Sequence, residues 1–262
     1  MEKKLRWGLF ILVDLIAFII IGFLVYNFYF KDTSKKTDDS VFNDLLDSIP
    51  LSANNTENAD QISKLVKEKL KTEKQDWFGW WNKITPYLTF DKFTLREVNE
   101  MTMNERFPYP ASVEDDTVRR EKSVYAKSPN GLLWADALAG MELVKGGGKV
   151  KALLDVDSSV SIAYLDSNTY EQVLTCGTPC GFDDVVWIDN NKLLILGYQI
   201  AYNATDKPEL DSNYLPTLWV IDLNEPRALY EYVGPSVPKM DYLNNKRSSY
   251  LVKRYGGIEF GF

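Results

Sequence analysis

The chain of 262 residues is long enough for one or two domains, and its apolar content of 45% is that of a folded protein. Its net charge of −7 argues against nucleic-acid binding, which requires a cationic surface. Because the chain contains no histidine, Ser-His-Asp triads, Cys-His pairs and histidine-ligated metals are excluded. Any catalysis would rest on carboxylates, lysine, tyrosine, cysteine or serine.

An apolar segment near the amino terminus predicts a membrane anchor. Residues 8–30 carry a single charge, Asp14, and as a helix they would extend about 34 Å, enough to cross a hydrocarbon core of about 30 Å. The segment is longer than the apolar core of a cleaved signal peptide, and no small residues suited to a peptidase follow it. Trp7 lies where interfacial aromatic residues occur. We therefore expect an uncleaved transmembrane helix over residues 7–30.

The flanks of this segment predict its orientation. Residues 1–6 form a short, basic flank, and we expect it in the cytoplasm under the positive-inside rule. The flank that follows the segment mixes lysines with aspartates. We therefore expect a single-pass protein of the cell membrane whose carboxyl-terminal domain is extracytoplasmic. Asp14 fits a tolerated residue near the interface or a helix-pairing contact better than a functional site.

A polar tether and a helical connector are expected after the anchor. Residues 31–58 are rich in polar residues and predict a tether of low order. Residues 59–75 predict a helix with a narrow apolar face, which would pack on the surface of something larger. The helix opens a helical and irregular connector over residues 59–121, which includes a second short helix near residues 94–102.

A tryptophan cluster in this connector has two interpretations. The sequence DWFGWW contains Trp77, Trp80 and Trp81. Exposed, these side chains would insert into a membrane interface or stack on sugar rings and other flat ligands. Buried, they would anchor the preceding helix to a β-sheet core. Burial is favoured because tryptophan is usually buried on average, and the three residues remain candidate binding residues.

Residues 122–262 predict an antiparallel β-domain. Short apolar runs alternate there with turn sequences such as SPNG, KGGGK, DSNT and DNNK. About ten strands are expected at this spacing, the last of them over residues 248–255. The predicted fold class is therefore mainly β with amino-terminal helices, and the sheets would be of propeller-like or sandwich type.

The β-domain contains an internal repeat. The segments SIAYLDSNTYEQVLTCG and TLWVIDLNEPRALYEYVG each place an Asp-x-Asn turn between two strands. The aligned turn residues are Asp166 with Asp222 and Asn168 with Asn224. Together with the turn in YAKSPNGLLWADA, these motifs resemble Tol-type β-propeller repeats over about residues 123–252. The resemblance implies stacked propeller-like sheets, but two or three blades cannot close a ring of about four or more, and it implies no binding site.

Two cysteines, Cys176 and Cys180, lie in the loop CGTPC. A structural zinc site usually needs four Cys or His ligands, and a redox pair usually has the spacing Cys-x-x-Cys before a helix. Neither pattern is present. In an extracytoplasmic domain the two residues predict a disulfide, with two reduced buried thiols as the alternative. No metal site and no cofactor are predicted.

Asp183 and Asp184 are the candidate carboxylates. With Trp187 nearby they would supply an acid pair and an aromatic platform for glycoside hydrolysis. The same residues also describe a turn before a strand with one inward tryptophan, which is the favoured interpretation. Residues 155–166 imitate the spacing of a calcium loop but lack its glycine and its final glutamate, so we predict no calcium site there.

The expected function is non-enzymatic binding of a ligand or protein at the cell envelope. The membrane is one expected partner, through residues 7–30, and a protein that pairs with open sheet edges is a further possibility. The alternative is a carboxylate-dependent envelope hydrolase. An enzyme would show a cleft with convergent acids, whereas a binding module would show an exposed apolar or aromatic patch.

Overall fold

The computed structural model describes residues 53–154, 157–178, 180–202, 212–244 and 247–260. The predicted anchor over residues 7–30 lies outside these ranges. Within them, no helix is both long enough and apolar enough to cross a membrane. Residues 53–262 belong to one compact unit.

Helices lie at both ends of the described chain. They are α1 (Ala53–Glu73), α2 (Gln75–Trp81), a 3-10 turn (Phe90–Lys92), α3 (Val113–Glu121), α4 (Lys239–Asn244) and α5 (Arg247–Arg254). The helix predicted over residues 59–75 is confirmed in α1, which begins earlier, inside the predicted tether. Ile62, Val66 and Leu70 form its buried face, and this spacing is that of an amphipathic helix.

The strands range from 2 to 11 residues in length, and most are joined by tight turns. They are β1 (Thr94–Glu100), β2 (Arg106–Pro108), β3 (Ala126–Lys127), β4 (Leu133–Asp136), β5 (Met141–Gly146), β6 (Lys149–Leu154), β7 (Ser158–Tyr164), β8 (Thr169–Cys176), β9 (Cys180–Trp187), β10 (Lys192–Tyr202), β11 (Ser212–Asp222), β12 (Ala228–Val233), β13 (Val237–Pro238) and β14 (Glu259–Phe260).

The described strands form three sheets. Sheet 1 has the order β1-β12-β11-β10-β9, with β13 paired to β11, and sheet 2 has the order β2-β8-β7-β4-β3. Sheet 3 has the order β14-β6-β5. Every pairing is antiparallel except that of β14 with β6. The predicted antiparallel, mainly β fold is therefore confirmed.

Sheet 1 is the middle layer of the fold. Along β10, Leu193 and Ile195 pack against sheet 2, whereas Leu194 and Leu196 pack against the helices and sheet 3. All four side chains are fully buried. A strand buried on both faces reads as a continuous apolar run, which explains the sequence KLLILG. Sheets 1 and 2 therefore pack face to face, and the helical layer covers the opposite face of sheet 1.

The strand predicted over residues 248–255 is wrong, because the structure places helix α5 there. Arg247, Tyr250, Leu251 and Arg254 recur at helical spacing and share the face that packs on the protein. Tyr250, Val252 and Tyr255 are of β-forming types and predict a strand, but the tertiary contacts of the packed face favour a helix.

The short helix predicted near residues 94–102 is also wrong, because this segment contains strand β1. Leu95 and Val98 are three residues apart and both pack on the core, which imitates helical spacing. The register of β1 on β12 shifts between Leu95 and Glu97. This β-bulge adds one residue and brings both apolar side chains to the same face.

The repeated Asp-x-Asn turns each connect an antiparallel hairpin. The first joins β7 to β8 in sheet 2, and the second joins β11 to β12 in sheet 1. The two copies therefore lie in different sheets. The resemblance to Tol-type propeller repeats stays a prediction.

Candidate functional site

Cys176 and Cys180 form a disulfide, with Cα atoms 5.9 Å apart. This confirms the predicted disulfide. Cys176 ends β8 in sheet 2, and Cys180 begins β9 in sheet 1. The disulfide therefore closes the connection through which the chain passes from one sheet to the other, and it leaves no free thiol for redox or metal chemistry.

Replacing both cysteines with serine should destabilise the protein by about 2 kcal/mol. The disulfide joins residues separated by 4 positions, and closing so short a loop removes only a small amount of chain entropy from the unfolded state. Urea unfolding of the full chain in detergent measures the change, with reduced wild-type protein as the matched control. A loss above about 4 kcal/mol would show that the disulfide stabilises the contact between the sheets and not only its loop.

The turn predicted at Asp183 and Asp184 is wrong, because both residues lie within strand β9. They are neighbours on this strand, yet both carboxylates face the helical layer. Neighbouring residues of a regular strand point to opposite faces. Here the register of β10 on β9 shifts between Leu196 and Gly197, so the pair contains a β-bulge. A side chain at Gly197 would place its Cβ 2.1 Å from the backbone oxygen of Gly181, so only glycine fits. The bulge brings both carboxylates to one side.

The Asp183 carboxylate is completely buried and fully paired. It accepts a hydrogen bond from Trp77 Nε1 at 3.0 Å and forms an ion pair with Arg247 Nε at 2.5 Å. Arg247 also donates to the Phe182 carbonyl at 2.8 Å. Burial lowers the pKa of Arg247, but Asp183, Tyr242 and Tyr198 together raise it by more, so that this pKa lies above its ordinary value. Burial raises the pKa of Asp183, and Arg247 and Trp77 oppose this shift by stabilising the carboxylate.

The Asp184 carboxylate is equally buried and has two cationic partners. Lys74 Nζ lies at 2.5 Å and Arg254 Nε at 2.8 Å, and the Tyr250 hydroxyl donates at 3.3 Å. Burial lowers the pKa of Lys74, although Asp184 opposes this shift. A cavity of about 380 Å³ lies beside this group. The two lysines and the arginine that line this cavity already form ion pairs with carboxylates of the protein. The charged groups here are therefore paired with one another and are not free to bind a ligand.

The candidate tryptophans are buried in the two hydrophobic cores, which lie on opposite faces of sheet 1. Trp77, Trp80 and Trp81 are 0%, 4% and 0% exposed, and they pack between α1 and sheet 1. Trp187 lies between sheets 1 and 2, and its Nε1 donates to the Ala126 carbonyl at 2.9 Å. These positions agree with the packing interpretation, since a buried ring has no free face for a ligand.

A second cavity lies at a place that no predicted site residue occupies. It has a volume of about 370 Å³ and lies between helix α3 and the face of sheet 2 turned away from sheet 1. Volumes of this size are found among small-molecule sites. Four half-buried aromatic side chains are part of its wall: Tyr109, Tyr125, Trp134 and Tyr170.

Strand alternation makes the floor of this cavity polar. On β7, Val160 and Ile162 face sheet 1 and are fully buried, while Ser159 and Ser161 face the cavity. On β4, Asp136 faces the cavity and pairs across the ladder with Ser161. Hydroxyl and carboxylate groups therefore lie next to one another on the same face of sheet 2.

Arg119 links helix α3, which forms the roof of the cavity, to the face of sheet 2 that forms its floor. It pairs with Asp115 at 2.5 Å and with Asp136, and it donates to the carbonyls of Leu138 and Met141. Burial lowers the pKa of Arg119, but Asp136 and Asp115 raise it by more, so that this pKa lies above its ordinary value. The guanidinium is fully engaged, which holds α3 in one position over the sheet.

Asp116 orients two aromatic rings of the wall. It accepts hydrogen bonds from Tyr109 at 2.6 Å and Tyr125 at 2.9 Å, and it pairs with Arg120 at 2.6 Å. Burial raises the pKa of Asp116, but the three donors outweigh it, so that this pKa lies below its ordinary value. Burial and the bond to Asp116 raise the pKa of Tyr109 to about 12. The wall is therefore held in place before any ligand binds.

Two polar groups of the cavity have no partner in the described part of the chain. Ser159 is 5% exposed, and no hydrogen bond of its hydroxyl is found among the described residues. Asp157 is exposed, and it takes part in none of the ion pairs that the described residues form. The buried side-chain atoms without a partner in the described part of the chain belong to Trp81, Arg227, Glu231 and Tyr242, and none of these residues lines the cavity. The side chain of Ser159 lines it. Ser159 therefore offers a hydrogen bond to whatever fills the cavity.

Alkaline pH should unfold the protein, because burial raises the pKa of many tyrosines. For Tyr109 the pKa rises from 10.0 to about 12. A raised folded pKa gives stability that is present below pH 10 and lost as the pH rises through the folded value, at up to about 1.4 kcal/mol per pH unit for each group. The other tyrosines with raised pKa are Tyr125, Tyr164, Tyr230, Tyr232, Tyr242, Tyr250 and Tyr255.

Circular dichroism and phenolate absorbance, followed together, measure this effect. We expect phenolate to form and β-structure to be lost in one cooperative step above pH 10. If these tyrosines titrated near their ordinary pKa while the β-structure persisted, the burial that raises their pKa would be contradicted.

Sequence reasoning missed this cavity because it assigned the roof to an irregular connector. The proline residues of that segment concealed helix α3. A signal was present, since Ser112 caps the helix by accepting from the Asp115 backbone N–H at 3.3 Å, and arginines occupy the last turn.

Comparison with protein-family models, with curated proteins and with solved structures finds no match for this chain.

Proposed function

We propose that this chain is a membrane-anchored, extracytoplasmic binding protein whose ligand site is the cavity between α3 and sheet 2. One observation carries the proposal. The cavity, of about 370 Å³, combines oriented aromatic walls with polar groups that have no partner in the described chain. Mostly pre-formed pockets with a few convergent polar groups are the usual form of small-molecule sites.

Binding fits this site better than hydrolysis. A glycosidase needs two carboxyl groups that both reach the substrate. Asp183 and Asp184 are completely buried and held by ion pairs. In the cavity, Asp115 and Asp136 are bound to Arg119, and Asp116 is bound to Arg120. Carboxylates held in this way orient a site, and they are poorly placed to exchange protons with a substrate.

The extracytoplasmic location is supported by the disulfide. Disulfides persist in oxidising compartments and are rare in the cytosol. The anchor over residues 7–30 would then hold the described domain at the outer face of the membrane. Protease treatment of intact cells should degrade the domain, and alkylation of Cys176 and Cys180 should require prior reduction. Full protection from protease in intact cells, with both thiols alkylated without reductant, would contradict this location.

A ligand panel and a blocked cavity test the binding proposal. The full chain in detergent is screened by thermal shift against amines, sugars, amino acids and organic acids. A ligand present at one hundred times its Kd stabilises the folded state by about 2.7 kcal/mol. Ser161→Phe should abolish this stabilisation, because the ring would fill the floor of the cavity. Ser236→Phe, at an exposed loop position, is the matched control and should leave it intact.

Two results of the ligand panel would contradict the binding proposal. If no compound stabilises the protein, the cavity is only a gap between layers. If a compound does so equally well in the Ser161→Phe and Ser236→Phe variants, then its site lies elsewhere in the molecule.

A further inference from the structure

We infer that the ligand of this cavity is a small organic cation, an amine that is protonated at neutral pH. The inference rests on the proposed function and names the ligand class for the same site. Three observations carry it: the charge of the lining, the aromatic wall, and the free oxygen acceptors at the mouth and floor.

The lining carries an excess of negative charge. Four carboxylates line the cavity, against one guanidinium, that of Arg119. Arg120, bound to Asp116, and Lys127, over the Trp134 ring, lie just outside the lining and still leave an excess of one negative charge. A concave site with low-dielectric walls concentrates such a field. Anions are therefore repelled, and a ligand with a positive charge is attracted.

The aromatic wall favours a cation in the same place. The ring centroids of Tyr125 and Trp134 are 5.5 Å apart, and those of Tyr109 and Tyr125 are 6.5 Å apart. Arg120 lies 4.3 Å and Lys127 4.5 Å from the Trp134 ring, so this ring already has cations of the chain. A ligand cation would therefore use the rings of Tyr125 and Tyr170, which also line the cavity. Aromatic faces attract cations by about 0.5–2 kcal/mol each, depending on how far the pair is desolvated.

Free oxygen atoms complete the site. An ammonium group donates up to three hydrogen bonds. Asp157 offers an exposed carboxylate outside the ion pairs of the described residues, and Ser159 adds a hydroxyl that lines the cavity. Such groups would accept two of the three.

A metal ion is the competing positively charged ligand, and the acid geometry does not favour it. Within the described residues, no group of three or more His, Cys, Asp or Glu side chains could hold a metal ion. Three of the four carboxylates face the chain's own arginines. An organic cation can use the aromatic faces, and a metal ion cannot.

Three probes of one shape and different charge test the inference. Benzylamine, benzyl alcohol and benzoate are titrated into the full chain in detergent by calorimetry, with glucose as a neutral polyol. We expect benzylamine to bind most tightly and to weaken as salt is added. Asp157→Asn should weaken it roughly fivefold to tenfold. Asp60→Asn removes the same charge from an exposed position of α1 and should change nothing.

The other outcomes overturn the inference without ambiguity. If benzyl alcohol or glucose binds as tightly as benzylamine, or if Asp157→Asn has no effect, then the cation inference fails while the cavity remains a binding site. If none of the four probes binds and the panel finds another ligand that Ser161→Phe excludes, the inference fails alone. If the panel also finds none, the proposed function fails with it.

Discussion

Replacing Arg247 with methionine should lower the free energy of unfolding by about 3–5 kcal/mol. Asp183 is completely buried and has no other cationic partner in the described part of the chain. Its remaining side-chain donor is the Trp77 indole, at 3.0 Å. A buried carboxylate left without its cation must lose the pair's attraction and keep the desolvation cost. Urea unfolding of the full chain, followed by circular dichroism, gives the value.

Lys74→Met is the matched control for this change. It removes a buried cation of the same network, but Asp184 keeps Arg254 at 2.8 Å and the Tyr250 hydroxyl at 3.3 Å. We therefore expect a smaller loss than for Arg247→Met. The double variant Asp183→Asn/Arg247→Met removes both charges of the pair and should recover most of the stability. Equal losses for the two single variants would contradict this account of the network.

Replacing Trp77 with alanine should also cost about 3–5 kcal/mol. The side chain is fully buried between the helical layer and sheet 1, with the Trp81 and Phe93 rings 5.9 and 6.5 Å away. The loss has two causes, which are the empty volume and the missing donor to Asp183. Urea unfolding measures their sum.

Phenylalanine at the same position separates these causes. Trp77→Phe keeps most of the ring but removes the N–H that bonds to Asp183. Trp81→Phe is the matched control, since Trp81 is equally buried and its Nε1 has no partner among the described residues. We expect Trp77→Phe to cost about 1–3 kcal/mol more than Trp81→Phe. The reverse order would show that the Asp183 carboxylate does not depend on this donor.

Local sequence patterns predict the strands that are buried on one or both faces. The apolar run over Lys192–Tyr202 predicts one of the strands of the β-domain and forms β10. The turn sequence DNNK before it and its aromatic and β-branched residues favour a strand over a helix. Strand β1 and helix α5 were predicted wrongly because their patterns are altered by tertiary features. A β-bulge changes the spacing in β1, and the contacts of Arg247 and Arg254 with buried carboxylates decide the face of α5.

The candidate site could be predicted only in part. Tryptophans and paired aspartates are visible in a sequence, but the bulge opposite Gly197 that brings both carboxylates to one side is not revealed by local pattern. The cavity consists of ordinary residues at alternate strand positions. Asp136 and Ser161, for example, become neighbours only when β4 pairs with β7. Such a site is a property of strand pairing, so composition and spacing along the chain contain little sign of it.

The indole N–H signals of the tryptophans test the central claim most directly. The full chain, labelled with nitrogen-15 tryptophan in nanodiscs, is titrated with benzylamine, benzyl alcohol and glucose, and signals are assigned by Trp→Phe variants. We predict that a probe that binds shifts the signal of Trp134, which lines the cavity and donates to the Gly131 carbonyl at 3.1 Å. Shifts at Trp77, Trp80 or Trp81 with Trp134 unmoved, or binding of a probe without a shift at Trp134, would contradict the cavity as the binding site.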